Sequence, residues 1–289
     1  MNGAQRSADL RHRLSARESV LMPGVWDPLS ALIVQQSGFS TAFVSGFAVS
    51  GTLLGRPDVG YLTQTEMAEV AQRVCSSVPT MNVIVDADTG YGDPMTVRRT
   101  VELWEQAGAA GLFLEDQVWP KKCGHMDGKQ VVPREDWLAK LRAACDHREH
   151  LHVTARTDAR AAVSLNEAIE RAKMARDCGV DALFVEAPQS VDEMEAIANA
   201  LPDITLVANM VEKGKTPLLT PSELADLGFR LIVSPLSLLL SAVQAMSTAA
   251  QRLAYDGSLR TYLADVAPFA SFTDLVGLPE HLANEKRYS

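Results

Sequence analysis

Short apolar runs rich in Val, Ile, Phe and Leu recur along the chain at Val20-Val25, Thr41-Ser45, Asn82-Asp86, Gly111-Glu115, His152-Arg156, Ala182-Glu186, Ile204-Ala208 and Arg230-Ser234. Runs of this length without alternation predict strands buried on both faces, as in a parallel sheet. Amphipathic stretches of helical period separate them. Thr63 with Glu66, Ser164 with Glu167, Ser190 with Glu193 and Thr220 with Glu223 fit the S/T-x-x-E box that caps a helix N-terminus. Asp93-Pro94 supplies a cap followed by proline at the first helical position. Gly38, Gly108, Gly179 and Gly228 stand where a helix must stop before the next strand. Strand then helix, eight times over, predicts an α/β chain folded as a (β/α)8 TIM barrel. An open doubly wound sheet is the alternative, since periodicity does not reveal closure. A short helix over Ser7-Ala16 is expected beneath the barrel, and a long apolar-faced helix over Leu236-Tyr255 after the eighth strand. The expected organisation is an N-terminal helical segment (residues 1–19), the barrel (residues 20–255) and a helical tail (residues 256–289). In that tail Leu263, Phe269, Phe272, Leu275 and Leu282 need a partner surface, in the same subunit or another.

Composition changes this picture mainly by exclusion. With 289 residues, 47% hydrophobic and 22% charged, the chain buries a sizeable core and is not disordered. Its 36 acidic residues outnumber 27 Lys and Arg, a net charge of −9 that repels phosphate backbones and argues against nucleic acid as a partner. The longest apolar stretch, Leu231-Leu240, is interrupted by Ser234, Pro235 and Ser237 and is too short for a bilayer. Cys75, Cys123, Cys145 and Cys178 form no C-x-x-C pair, which argues against disulfides or a zinc knuckle and for a reducing, cytoplasmic setting. Arg6, Arg11, Arg13 and Arg17 hint at a transit peptide, but Asp9 and Glu18 weigh against one.

In such a barrel the chemistry gathers where the strands end and the βα loops converge. Strand two delivers Ser45-Gly46 and its loop carries Asp58; strand three ends in Asp86-Ala87-Asp88 and strand four in Glu115. Strand five brings Arg156, strand six Glu186, strand seven Asn209 and strand eight Ser234-Pro235. Singly, each is explained as a helix cap or turn; at strand after strand they read as a pocket. Asp86 and Asp88, two apart, are expected to point the same way, with Asp58 and Glu115 joining them. Four carboxylates without His or Cys make a hard oxygen site, suited to Mg2+, with Mn2+ as a substitute. Arg156 is placed to pair with a substrate carboxylate, or else to form an ion pair with Glu115 or Glu186.

The loop after strand four, Trp119-Pro-Lys-Lys-Cys-Gly-His-Met-Asp-Gly-Lys129, is long and polar, and its Gly124 and Gly128 suit a lid. Lys121, Lys122 and His125 surround Cys123, which suits a thiol used for proton transfer or as a nucleophile.

Together these residues resemble the isocitrate lyase/phosphoenolpyruvate mutase superfamily. The resemblance is carried by Ser45-Gly46, Asp86-Ala-Asp-Thr-Gly-Tyr-Gly92, Leu114-Glu-Asp-Gln117, Lys121-Lys-Cys-Gly-His125, Ala155-Arg-Thr-Asp158 and Ala208-Asn-Met210, and runs from Leu21 to Leu240. The Lys-Lys-Cys-Gly-His string, with Glu186-Ala-Pro188, points to the lyase branch, in the group of petal death protein, 2,3-dimethylmalate lyase and oxaloacetate hydrolase. The resemblance implies Mg2+ on Asp86 and Asp88, with Asp58 and Glu115 reached through water. It implies substrate contacts from Ser45, Gly46, Arg156, Glu186, Asn209 and the lid around Gly124, and a general acid at Cys123 tuned by His125 and Lys121. It also implies a homotetramer in which a C-terminal helix swaps between neighbours. Phe47 and Phe43 depart from the tricarboxylate lyases of the family and disfavour an extra carboxymethyl arm; Phe47 and Pro235 are expected to shape the substrate end of the pocket. The implied activity is cleavage of a 2-hydroxy dicarboxylate of the substituted-malate type, with oxaloacetate hydrolysis by the same parts. Carboxyphosphonoenolpyruvate mutase carries Cys-Gly-His as well and is the alternative, as is a non-catalytic binding barrel.

Overall fold

The computed structural model describes residues 1–288 other than 125 and 127. Eight strands form a closed barrel in chain order: β1 (Val20–Val25), β2 (Thr41–Val44), β3 (Asn82–Asp86), β4 (Gly111–Glu115), β5 (His152–Thr157), β6 (Ala182–Val185), β7 (Thr205–Asn209) and β8 (Phe229–Ser234). Every neighbouring pair is parallel, and β1 closes on β8 with Val20 opposite Leu231. The barrel, not the open sheet, is the fold.

The helices are α1 (Gly3–Ser15), α2 (Pro28–Gln36), α3 (Gly46–Val49), α4 (Gln64–Ser77), α5 (Pro94–Ala107), α6 (Arg134–His147), α7 (Ala159–Ala162), α8 (Leu165–Arg176), α9 (Val191–Ala200), α10 (Pro221–Asp226), α11 (Ser237–Asp256), α12 (Phe269–Leu275) and α13 (Leu278–Tyr288). Thr63 and Thr220 form reciprocal capping boxes. Ser164 and Ser190 cap without the return bond, because Glu167 turns to Arg134 and Arg171 while Glu193 turns to Arg160. The four glycines expected to end helices all have positive φ, a conformation glycine adopts without a Cβ penalty.

Inside the barrel, Val20, Met22, Phe43, Ile84, Phe113, Phe184 and Leu231 pack in one cluster with Leu10 and Leu14 of α1, which plugs the bottom. Arg6 anchors that plug. Its guanidinium is buried and donates to the carbonyls of Gly108, Cys75 and Val78, at the C-terminal ends of α5 and α4, where the helix dipole favours a cation. Arg11 bonds Asp181 and the carbonyls of His150 and Leu151, so these arginines are taken up by the fold.

The bottom also holds a titratable strain. His152 is buried at the start of β5, and its Nδ1 has no hydrogen-bond partner among the described residues. Burial pushes its pKa from 6.5 down to about 4; Asp181 opposes the shift while Arg11 and Arg148 add to it. The unfolded chain takes up this proton near pH 6.5 and the native ring only near pH 4. Stability is therefore fully present above the higher value and falls as pH drops between the two, by about 2 kcal/mol at pH 5. We expect the loss of urea stability from pH 7 to pH 5 to be smaller by that amount in His152→Gln; equal losses would exonerate the ring.

Helix α11 carries the apolar face expected of it. It forms over nearly the predicted span, yet Leu239 is its single buried residue, and Val243, Met246 and Leu253 face outward. An apolar groove lined by Trp26, Leu29, Ile33, Leu239, Val243 and Met246 opens between it and α2. Helices α12 and α13 have no buried residue.

Candidate active site

The strand ends converge on one cleft at the barrel mouth. Ser45, Phe47, Asp58, Asp86, Glu115, Lys121, Cys123, Gly124, Arg156, Glu186, Asn209 and Pro235 all line it. Gly46 and Asp88 stand directly behind that lining, since a Cβ on Gly46 would lie 3.0 Å from Asp86 Oδ2 and 3.5 Å from Asp88 Oδ1. His125 lies outside the described residues.

Asp88 reaches the cluster by a different route from the expected strand alternation. Strand β3 ends at Asp86, and Asp88 has the left-handed φ of 44°. That kink turns its N–H onto Asp86 Oδ1 at 3.1 Å and its carbonyl onto the Glu115 N–H at 2.8 Å.

Lys121 also departs from expectation. Its buried ammonium lies 2.5 Å from Asp58 Oδ1 and 2.7 Å from Asp88 Oδ1, so it serves the carboxylates rather than the Cys123 thiol. Burial opposes its charge, but Asp88 and Asp58 outweigh that and hold its pKa well above the usual lysine value. Arg156 meets Glu115, Asp158 and Glu186 at 3.0–3.4 Å, so in this structure both ion pairs considered for it are formed. Its guanidinium also lies 5.4 Å from the centre of the Phe184 ring, which with Phe43 and Phe113 floors the cleft.

Six carboxylates (Asp58, Asp86, Asp88, Glu115, Asp158, Glu186) thus outnumber the four cations around the cleft (Lys121, Lys122, Lys129, Arg156), and the deficit shows in the titration. Burial pushes Asp88 up to about 7, with Asp86 and Asp58 adding to it against Lys121. Burial likewise holds Glu115 well above its ordinary value despite Arg156. Glu115 Oε1 is buried with no hydrogen-bond partner among the described residues. An oxygen-only donor set, short of positive charge and with one lone pair unmet, fits a hard divalent cation. The one group of three ligating side chains within 4.8 Å among the described residues is Glu105, Glu149 and His150, at the opposite end of the barrel.

The loop after β4 folds back on itself. Gln117 bridges Val131, and its side chain both accepts from the Lys122 N–H and donates to the Lys122 carbonyl. Gly124 is pressed against the cleft: a Cβ there would fall 2.6 Å from Glu186 Oε2 and 2.7 Å from Arg156 Nη2, so a larger residue would displace the ends of those two side chains. Asn209 Nδ2 donates to Glu186 Oε2 at 3.1 Å. The far wall is apolar, made by Phe47, Val211, Val233, Pro235 and Leu236.

Sequence reasoning passed over Val211, Leu236, Phe184 and Lys129. Phe184 falls inside the sixth apolar run and Leu236 at the start of the long helix, Lys129 only closes the polar loop, and nothing in the pattern marks Val211.

Comparison with known proteins places this geometry. Residues 10–254 match the family model described as phosphoenolpyruvate phosphomutase. The chloroplastic carboxyvinyl-carboxyphosphonate phosphorylmutase of Arabidopsis thaliana is 48% identical over 284 residues, 96% of this chain and 84% of that protein. The 2,3-dimethylmalate lyase of Eubacterium barkeri is 39% identical over 287 residues, covering 98% of each. Among solved structures, oxaloacetate acetylhydrolase in complex with 3,3-difluorooxalacetate superposes with a TM-score of 0.94 at 33% identity, covering 99% of this chain and 98% of that one. The chain belongs to the phosphoenolpyruvate phosphomutase family, within the superfamily of lyases and mutases that also holds isocitrate lyase.

Proposed function

We propose that the chain is a Mg2+-dependent carbon–carbon lyase that cleaves a 2-hydroxy dicarboxylate of the substituted-malate type into a 2-oxo acid and a carboxylate. The observation that carries this reading is Cys123, a thiol lining the same cleft as Arg156 and the carboxylate cluster. Asp86 and Asp88 would hold the ion, and Asp58 and Glu115 would reach it through water. When bound, Mg2+ supplies charge neutralisation and acidifies an oxygen nearby. Mn2+ would substitute.

Arg156 pairs with a substrate carboxylate, exchanging part of its contact with Glu115 and Glu186 for it. Ser45 and Gly46 contact the same end, and Gly46 keeps the space beside Asp86 clear. Glu186 and Asn209 hold one another and present polar atoms to the substrate. The C2 hydroxyl gives its proton to a carboxylate of the cluster, C2–C3 breaks, the C2 oxygen becomes a ketone and the electron pair passes to the leaving fragment as an aci-carboxylate. Cys123 then delivers a proton to carbon, and His125 is proposed to tune that thiol; Lys121 acts on the carboxylates instead. The wall of Phe47, Val211, Pro235 and Leu236 suits an alkyl substituent and offers no cation to a third carboxylate. In the hydrolase variant water adds to the C2 ketone of oxaloacetate, and C2–C3 cleavage of that hydrate by the same parts gives oxalate and acetate. The 48% identity to a phosphorylmutase favours a second reading, transfer within a carboxyphosphonate, in which the thiol has no proton to give.

The active form is proposed to be a cytoplasmic homotetramer. Support comes from the exposed Val243, Met246 and Leu253 of α11 and from the apolar groove beside it, which suits the same helix of a second copy. No helix among the described residues is long and apolar enough to cross a membrane. The deciding experiment is a screen of 2-alkylmalates, 2,3-dimethylmalate, methylisocitrate, oxaloacetate and a carboxyphosphonate with Mg2+, on protein sized by light scattering. Ketone release from an alkylmalate by a tetramer is expected. Turnover of the phosphonate alone would overturn the lyase, and full activity in a monomer would overturn the assembly.

A further inference from the structure

Lys129 stands five residues beyond Gly124, and its side chain is only 1% exposed. Its ammonium donates to the Gly124 carbonyl and to Asp158 Oδ1, the latter at 2.5 Å. Gly124 belongs to the loop, whereas Asp158 sits just past β5 in the barrel wall. The same Asp158 accepts from Arg156, at 3.0 Å from Nε and 3.3 Å from Nη2. Asp158 is itself fixed from behind, since its N–H donates to Asp116 Oδ1, and Asp116 pairs with Arg171. One buried cation therefore joins a loop peptide to the carboxylate that orients the substrate-facing arginine.

Burying an ammonium is costly unless its charge and hydrogen bonds are met, and here they are met only with the loop down. Lys122 bonds the Gly128 carbonyl within the loop. We propose that Lys129 is a positioning residue: by bridging Gly124 and Asp158 it holds the Cys123–Gly124 segment over the Arg156–Glu186 pair and couples closure of the loop to the setting of Arg156. With the loop raised, Lys129 is solvated and Asp158 keeps Arg156 alone. Closure then brings the thiol and the guanidinium into register in one step. For turnover, this inference rests on the lyase reading above; for loop position it does not.

Two variants separate the effects. Lys129→Met keeps the aliphatic stem and removes both bonds, and Lys129→Gln retains a donor without the charge. In the protein without added ligand, tryptic cleavage after Lys121 and Lys122 is expected to accelerate about tenfold or more in Lys129→Met, the opening of a local segment once its hold is cut. Lys129→Gln should fall between Lys129→Met and the wild type. On the best substrate of the screen, Lys129→Met should lower kcat by ~10²-fold and raise KM, as misplacement of a reacting group does. A merely structural role would lower the melting temperature and the active fraction, leaving KM and the cleavage rate of the folded protein unchanged. Cleavage within twofold of wild type in a folded Lys129→Met overturns the proposal, and if that variant does not fold, the same comparison is read on Lys129→Gln. Should the wild type turn over no substrate, the lyase reading falls and the cleavage rates alone decide the role of Lys129.

Discussion

Asp88→Ala is expected to abolish turnover, by more than ~10³-fold, while leaving the barrel folded. That factor corresponds to about 4 kcal/mol of lost charge stabilisation, the scale on which a bound cation acts in such reactions. The fold should survive because Lys121 keeps Asp58 as a partner when Asp88 is gone. The wild type in EDTA should behave alike and recover with Mg2+ or Mn2+, whereas Asp88→Ala should not recover. Asp58→Ala is expected to cost less, about 10- to 100-fold, as groups that act through an intervening water do. Turnover with and without chelator, a thermal melt of each variant, and titration of Mn2+ binding by calorimetry check this. Full activity in EDTA, or Mn2+ affinity undiminished in Asp88→Ala, would remove the ion from Asp86 and Asp88.

The barrel was legible in the sequence because buried parallel strands are continuous apolar runs, and glycines and caps mark the intervals between them. Its boundaries slipped where a side chain is also used elsewhere, as in β2, which stops at Val44 because Ser45 turns to cap α3. The candidate residues of the cleft were legible for the same reason, since strand ends in a closed barrel must converge. What escaped was decided by partners remote in sequence. The kink at Asp88 depends on its backbone meeting Asp86 and Glu115. Lys121 reads from the sequence as a neighbour of the Cys123 thiol and Lys129 as the end of a polar loop, yet both are buried because Asp58 and Asp158, 63 and 29 residues away, receive them. Likewise, nothing in the 20 residues of α11 says that Val243, Met246 and Leu253 on its apolar face stay exposed.

Cys123→Ser separates the lyase from the mutase. On the lyase reading, the fragment leaving C2–C3 cleavage carries its charge on carbon and must be protonated inside the cleft, away from bulk water. Cys123 lines that cleft, and Gly124 beside it lies as close to Glu186 and Arg156 as a residue without a Cβ allows. Among the described residues no other thiol lines it. Cys75 belongs to α4 and Cys145 to α6, where burial pushes both up to about 11. Lys121 is committed to Asp58 and Asp88, and Lys129 to Gly124 and Asp158, so neither ammonium is placed to substitute. Serine preserves the size of the side chain and replaces the thiol by a much weaker acid. General acid catalysis contributes ~10²–10⁴-fold, so kcat should fall by about that factor with KM little changed. Oxalate binding, which uses the metal end of the cleft, should be nearly intact in the same variant. A cysteine that only packs the loop would cost less than about tenfold, the scale of a small packing change. In a mutase no proton is delivered to carbon, so the rate on a carboxyphosphonate would be near that of the wild type. Single-turnover rates of wild type and Cys123→Ser on an alkylmalate decide it: near-equal values mean that the proton comes from elsewhere.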